Sequence, residues 1–472
     1  MGVKIKNHRA IFLFLISLLL AGCGDPAPVR HNGRVKPFDS YARETLRLVA
    51  GSEGWQGRSA AAVIRDLSDH PSKINGFEWI RIESAELKKS LGLSGERRYF
   101  SLSETDARLE KIGSLVRSAK AKRDSDLRPS KLEQKAELLY AQIDAVEKLG
   151  RGEAFTPAPG ESLTRAGIEL LANRAKPFER AAFFYFLAFF LLTLFKKNPI
   201  LKKIGWVALG GAFLFHTAGI AARVAILARP PVSNMYESMI FMNWVLIVFA
   251  AAFSALRKNL LALVAGSAAS GLVMVYANLL PLDPGLDVLV PVLRSNYWLS
   301  IHVMTVVSSY GAFGLAMALG NRHLFCEAFG KLTGVSEKES ADLVYRVIQL
   351  GPLLIGTGTV LGGVWANESW GRFWGWDPKE TWALITFLTY LIVVHLKFAK
   401  KISDFYLALA AVLGFSVVLM TWYGVNFVLG RGLHSYGQGT GGMRWVVYYL
   451  VGQAAFLGFI SIRKFSRQSR RA

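Results

Sequence analysis

Cysteine is almost absent. The 472 residues contain two, Cys23 and Cys326, and these form no CxxC pair. A thioredoxin-like redox centre and a covalent c-type haem site therefore do not belong to this chain. Acidic residues are scarce as well: 34 Asp and Glu stand against 56 Lys and Arg, a net charge of +22. Such a surplus would usually raise nucleic acid as a partner, but its distribution argues against one. Residues 24–180 carry 28 Lys and Arg and 23 Asp and Glu, so they are only mildly basic. Residues 181–472 carry 25 against 11, and there the bases lie between long apolar runs. Charge placed in that way sets orientation in a bilayer. Hydrophobic residues make up 52% of the chain, high for a soluble protein, and the length exceeds one ordinary core.

At the amino terminus Lys4, Lys6 and Arg9 precede AIFLFLISLLLAGC. That apolar run is shorter than the roughly 20 residues a span needs. With its basic start and small closing residues it reads as a secretory signal. LAGC at 20–23 resembles the bacterial lipobox, in which Cys23 is lipidated, so the chain after Cys23 is expected to be exported. Residues 24–176 have mixed charge, and ARETLRLVAG and KLEQKAELLYAQIDAVEKL space apolar residues by three and four. This predicts a mainly helical soluble domain, with GRGEAFTPAPGES at 150–162 as a loop. No catalytic constellation stands out in it, and His31 and His70 read as surface residues.

From 181 the apolar runs recur at about 181–195, 204–227, 238–256, 260–280, 297–319, 346–365, 381–396, 404–425 and 445–462. They predict an all-α polytopic membrane protein with about nine transmembrane helices. The linkers alternate in charge. KKNPILKK, RKN, NRHLFCEAFGKLTGVSEKESADLVYR, KFAKK and the tail RKFSRQSRR hold eighteen Lys and Arg. The other set has Arg229, Arg294, Arg372, Lys379, Arg431 and Arg444. The positive-inside rule puts the first set and the carboxyl terminus in the cytoplasm and the second set outside.

One external linker, WANESWGRFWGWDPKETW at 365–382, holds five of the twelve tryptophans. Its end starts a helix: Asp377 suits the cap, Pro378 the first position, and Glu380 lies three residues after the cap. The indoles Trp365, Trp370, Trp374 and Trp376 suit either a membrane-interface belt or a ligand platform. Gly371 and Gly375 would let a flat ligand reach the backbone, and Arg372 and Lys379 would face acidic groups. Haem, a disc with two propionates, fits the second description.

WGRFWGWDPKETW resembles the WWD signature of haem-handling membrane proteins in cytochrome c biogenesis. RPPVSNMYESMIFMNW at 229–244 is similar to a segment of the CcsA (ResC) type of the system II pathway, and the resemblance covers about 180–465. CcmF and CcmC types share the tryptophan signature, but the second motif fits CcsA better. NGRVKPFDSYARETLRLVAG also resembles exported regions that accompany some CcsA-type proteins.

The resemblance matches His302, in NYWLSIHVMTVV, and His434, in GRGLHSYGQGTGG, to the family's two external haem ligands. Both fall on the side of the tryptophan segment, and a histidine on each face is a sound way to hold haem iron. His395, toward the cytoplasmic end of its helix, matches the intramembrane histidine thought to bind haem in transit. A ResB-type membrane partner usually supplies the second ligand there. His216 is an alternative, sharing a helix face with Arg223, which would meet a propionate or snorkel outward. His323 lies in a basic cytoplasmic linker and is expected to be inert.

The implied function is delivery of haem b, as cargo, across the bacterial plasma membrane to the CxxCH segment of apocytochrome c. The protein would supply orientation and ligation while cytochrome thiols and haem vinyls make the bonds. Two rivals remain: a multi-pass small-molecule transporter, and an electron-transfer subunit holding haem permanently between His395 and His216.

Overall fold

A computed structural model describes residues 25–125, 127, 129–159, 163–280, 282, 284–286, 295–330, 336–430 and 442–469. Cys23, Arg294, Arg431 and His434 lie outside the described residues. The chain divides into two compact units, one ending at Ala175 and one beginning at Lys176.

The amino-terminal unit is mainly helical. Strands β1 (Pro28–His31) and β2 (Arg34–Pro37) form a tight antiparallel pair, and β3 (Thr156–Pro157) adds to the free edge of β1. Asn32 and Gly33 make the turn, both with positive φ, where Asn and Gly cost least. Helix α1 (Phe38–Ala50) comes directly after and packs beside the long helix α2 (Lys131–Gly150), which a Ser130–Glu133 capping box begins. Tyr41, Leu46, Ile64, Trp79, Phe100 and Ile143 are fully buried in its core. The NGRVKPFDSYARE stretch folds into a charge network. Lys36 is buried and paired with Glu44, and Arg34 reaches both Glu44 and Glu169. His31 is not a surface residue as expected. Its ring lies 5.0 Å from that of Tyr41, and burial, helped by Lys36 and Arg34, pushes its pKa down to about 4.

The second unit is a multi-pass membrane bundle. Among the described residues the protein has nine helices long and apolar enough to cross a membrane, as expected. In the second unit these are α3 (Pro177–Leu194), α4 (Pro199–Leu227), α5 (Met235–Arg257), α6 (Leu261–Leu279), α7 (Asn296–Phe329), α8 (Glu337–Trp370), α9 (Pro378–Phe398), α10 (Asp404–Leu429) and α11 (Met443–Ser469). Helix α7 packs against α5, α6, α8 and α10. Small residues make this possible: a Cβ on Gly311 would lie 2.8 Å from the Met242 carbonyl, and one on Gly320 would lie 2.9 Å from that of Ala408. Phe313 stacks on Tyr390 with centroids 3.9 Å apart in the core.

Two helices outrun their apolar segments. Helix α7 continues through NRHLFCEAF because nothing breaks it before Gly330, whose φ of 99° ends the helix. His323 is therefore a buried helical residue, with Nδ1 3.3 Å from Ser340 Oγ, rather than a linker residue. Helix α8 runs on through Trp370, so of the stretch 365–382 only 371–377 lies between helices. Polar Asn367, Glu368 and Ser369 do not stop it; Gly371, at φ 69°, does.

Candidate functional site

His302 lies in a π-helical segment, Leu299–Val303, at the start of α7. Such wide turns recur at functional positions, where they re-aim a side chain. Its Nδ1 is 2.8 Å from the carbonyl oxygen of Gly358 on α8. A carbonyl can only accept, so Nδ1 donates the proton of this bond. This is how a protein commonly fixes the tautomer of a ligating histidine. The ring sits so close to α8 that a Cβ on Gly362 would lie 2.5 Å from its Cε1. The next residue, Gly363, gives the same room to Phe373, whose ring would lie 2.6 Å from a Cβ there. The Gly-Gly pair thus seats His302 and the tryptophan segment on one turn of α8.

Indoles continue the wall. Trp365 is edge-on to His302, with centroids 5.7 Å apart, and Trp298 stacks on Trp365 at 6.3 Å. Trp298 Nε1 donates to Glu368 Oε2 at 2.7 Å, which ties the start of α7 to the end of α8. Neither Trp298 nor Glu368 stood out in the sequence, although Trp298 precedes His302 by one helical turn and Glu368 comes three residues after Trp365.

Beyond Trp370 the short connection is organised by Glu380. One of its oxygens accepts from Gly375 N at 2.8 Å and from Asp377 N at 3.2 Å; the other accepts from Arg372 Nη1 at 3.3 Å. Asp377 is buried and caps α9 in a full capping box, as its position implied. Between the two amides that Glu380 holds, Trp376 takes φ 57°, a left-handed conformation costing about 1–2 kcal/mol outside glycine. Its indole is 69% exposed and stands edge-on to Trp374 at 5.8 Å. Arg372 folds across Gly375, where a Cβ would collide with the guanidinium, and lies 6.0 Å from the Trp370 ring. The result is an exposed aromatic rim carrying a guanidinium.

These residues suit a planar aromatic acid whose metal takes one axial imidazole. Among the described residues no group of three His, Cys, Asp or Glu could hold a metal ion. The other π-helical segment, Met420–Leu429, closes α10 and leads toward the stretch that contains His434.

The remaining sequence candidates lie apart from this arrangement. His395 is exposed on α9, three residues from its end, and its Nδ1 donates to the Leu391 carbonyl at 2.8 Å. His216 differs. Its Nε2 donates to the Ile240 carbonyl at 3.0 Å, and Nδ1 accepts from the Tyr185 hydroxyl at 3.1 Å. Fully buried with both nitrogens engaged, it has nothing to offer a metal without breaking two hydrogen bonds. Arg223 neither awaits a propionate nor snorkels. Its Nε donates to Glu237 Oε1, and its two Nη atoms donate to the carbonyls of Pro284 and Gly285, each at 3.0 Å. Glu237, from the YES of the 229–244 segment, is completely buried and also accepts from Ser233 N.

The sequence model of a family described as Cytochrome C assembly protein matches residues 232–434. NrfI of Wolinella succinogenes is 28% identical over 89% of this chain, which spans only 55% of that protein's length. CcsA, a cytochrome c biogenesis protein, is 35% identical in Guillardia theta and 32% identical in Gloeobacter violaceus. The match takes in 91% and 90% of those two proteins and 53% of this chain in each case. The chain belongs to the CcsA family of cytochrome c biogenesis proteins.

Proposed function

We propose that, within its role in cytochrome c biogenesis, this chain carries haem b to the external face of the bacterial plasma membrane and presents it to apocytochrome c. His302 and His434 ligate the iron, and Trp365, Trp370, Trp374 and Trp376 frame the ring. Arg372 faces a propionate, and Asp377 sets the start of the helix beneath. The apocytochrome CxxCH histidine replaces one ligand, and each cysteine S–H adds across a vinyl group, its hydrogen going to the neighbouring carbon. His395 is the intramembrane stop, completed by a ResB-type partner that can reach its exposed face. The unit up to Ala175 is exported, and the basic linkers and carboxyl terminus are cytoplasmic.

The observation that carries this reading is the seating of His302: its Nδ1 is held by the Gly358 carbonyl, and its ring stands edge-on to Trp365 in a wall of indoles. The engagement of both His216 nitrogens speaks against a permanent electron-transfer haem between His395 and His216. The test is an absorption spectrum of the full chain, purified with its haem, against His302→Ala. The variant should lose most of the haem band, and added imidazole should restore it by filling the vacated position. An unchanged spectrum would remove His302 from the site.

A further inference from the structure

We infer that the membrane bundle holds an anionic phospholipid in a cavity separate from the tryptophan wall. The cavity, about 860 Å³, lies among α3, α5, α6, α7, α10 and α11. That volume is within the range of sites that enclose a drug-sized molecule. Its walls are almost wholly aliphatic and aromatic carbon. Three cations line it, Lys196, Lys202 and Arg322, the last also donating from Nη1 to Ser340 Oγ at 3.0 Å, and no carboxylate is among the described lining residues. All three come from one end of the bundle: Lys196 just after α3, Lys202 in the first turn of α4 and Arg322 near the end of α7. The charge asymmetry of the linkers assigns this end to the cytoplasm.

An occupant matching that lining has an apolar body in the bundle and an anionic group at the cytoplasmic surface. The cavity opens toward the bilayer, since Leu272 on α6 and Tyr448 on α11 line it and are 54% and 62% exposed. Two hydroxyls along the wall, Thr193 Oγ1 and Tyr449 Oη, are buried without a hydrogen-bond partner among the described residues. Buried hydroxyls are normally satisfied, and an ester oxygen of a glycerolipid could accept from Thr193, one residue before the cytoplasmic end of α3.

The test is native mass spectrometry of the full chain after incubation with vesicles of equal phosphatidylglycerol and phosphatidylcholine. About one phosphatidylglycerol per chain should survive mild delipidation, in excess over phosphatidylcholine. Lys196→Gln with Lys202→Gln should cut that retention about fivefold for each lysine removed. Gly452→Phe should abolish it: Gly452 lines the cavity, and nothing lies within 4 Å of a Cβ there, so the ring would fill the space. Equal retention of both lipids, unmoved by either variant, would mean ordinary annular lipid and overturn the proposal. So would loss of haem absorbance in Gly452→Phe with lipid retention intact, since the cavity would then serve the porphyrin. Should Gly452→Phe fail to fold, the lysine pair, both exposed, still decides the matter.

Discussion

At the scale of single residues, what a side chain can do depends on which of its atoms are already engaged. His216 and His302 are both histidines on apolar helices. In the first both ring nitrogens are engaged, by Tyr185 and Ile240; in the second Nδ1 is held by Gly358 and the ring stands edge-on to Trp365. Sequence could nominate both but could not separate them, because the partners lie 24 to 56 positions away. Arg223 is a parallel case: its seven-residue spacing from His216 was legible, its pairing with Glu237 was not. Removing one member of a buried ion pair leaves an uncompensated charge and costs about 3–5 kcal/mol, whereas replacing both by apolar groups can be nearly neutral. Arg223→Met alone and Glu237→Leu alone should therefore lower the melting temperature sharply, and the double variant should recover most of the loss. Its haem spectrum should match the parent protein, because Arg223 is spent on Glu237 and the 284–285 carbonyls. A double variant that melts normally but has lost haem would return Arg223 to propionate binding.

At the scale of elements, the start of α9 was legible because capping is local. Asp377, Pro378 and Glu380 sit at fixed offsets, and the box forms as their order implies. The second task of Glu380 was not legible. Its carboxylate reaches back across five residues to Gly375 and eight to Arg372, and so holds Trp376 in its left-handed conformation. The two cap residues should consequently behave differently. Asp377→Ala removes a helix cap, at about 1 kcal/mol, and should mainly shift melting. Glu380→Ala also frees Arg372 and both amides beside Trp376, so haem titration should show binding weakened by about tenfold with helicity unchanged by circular dichroism. Equal effects of the two variants would mean that the posture of Trp376 does not matter to the ligand. The length of the apolar runs located the membrane spans and periodicity the helices of the amino-terminal unit, but its small sheet of β1, β2 and β3 escaped both: two- to four-residue strands are too short to show an alternation.

At the scale of the molecule, the strongest sequence signal was the asymmetry of charge between alternating linkers, and it makes a topology that can be tested directly. Burial does not help here, because helices crossing a bilayer expose apolar residues on either side: Phe398 and Phe183 are 79% and 63% exposed, as lipid-facing residues can be. The charges are less forgiving, since each Lys or Arg left on the wrong side opposes insertion. In a background with Cys23 and Cys326 both replaced by Ser, single cysteines at Lys197, Lys258 and Ser369 report the two sides. All three positions stand at helix ends and are exposed. A membrane-impermeant maleimide added to intact spheroplasts should label Ser369→Cys and spare Lys197→Cys and Lys258→Cys until the membrane is opened. That result places the His302 wall outside, where an exported apocytochrome can meet it, and the lysine end of the lipid cavity inside. The reverse pattern would put the tryptophans in the cytoplasm and leave haem presentation with no external face to serve, however well His302 is built to hold a metal.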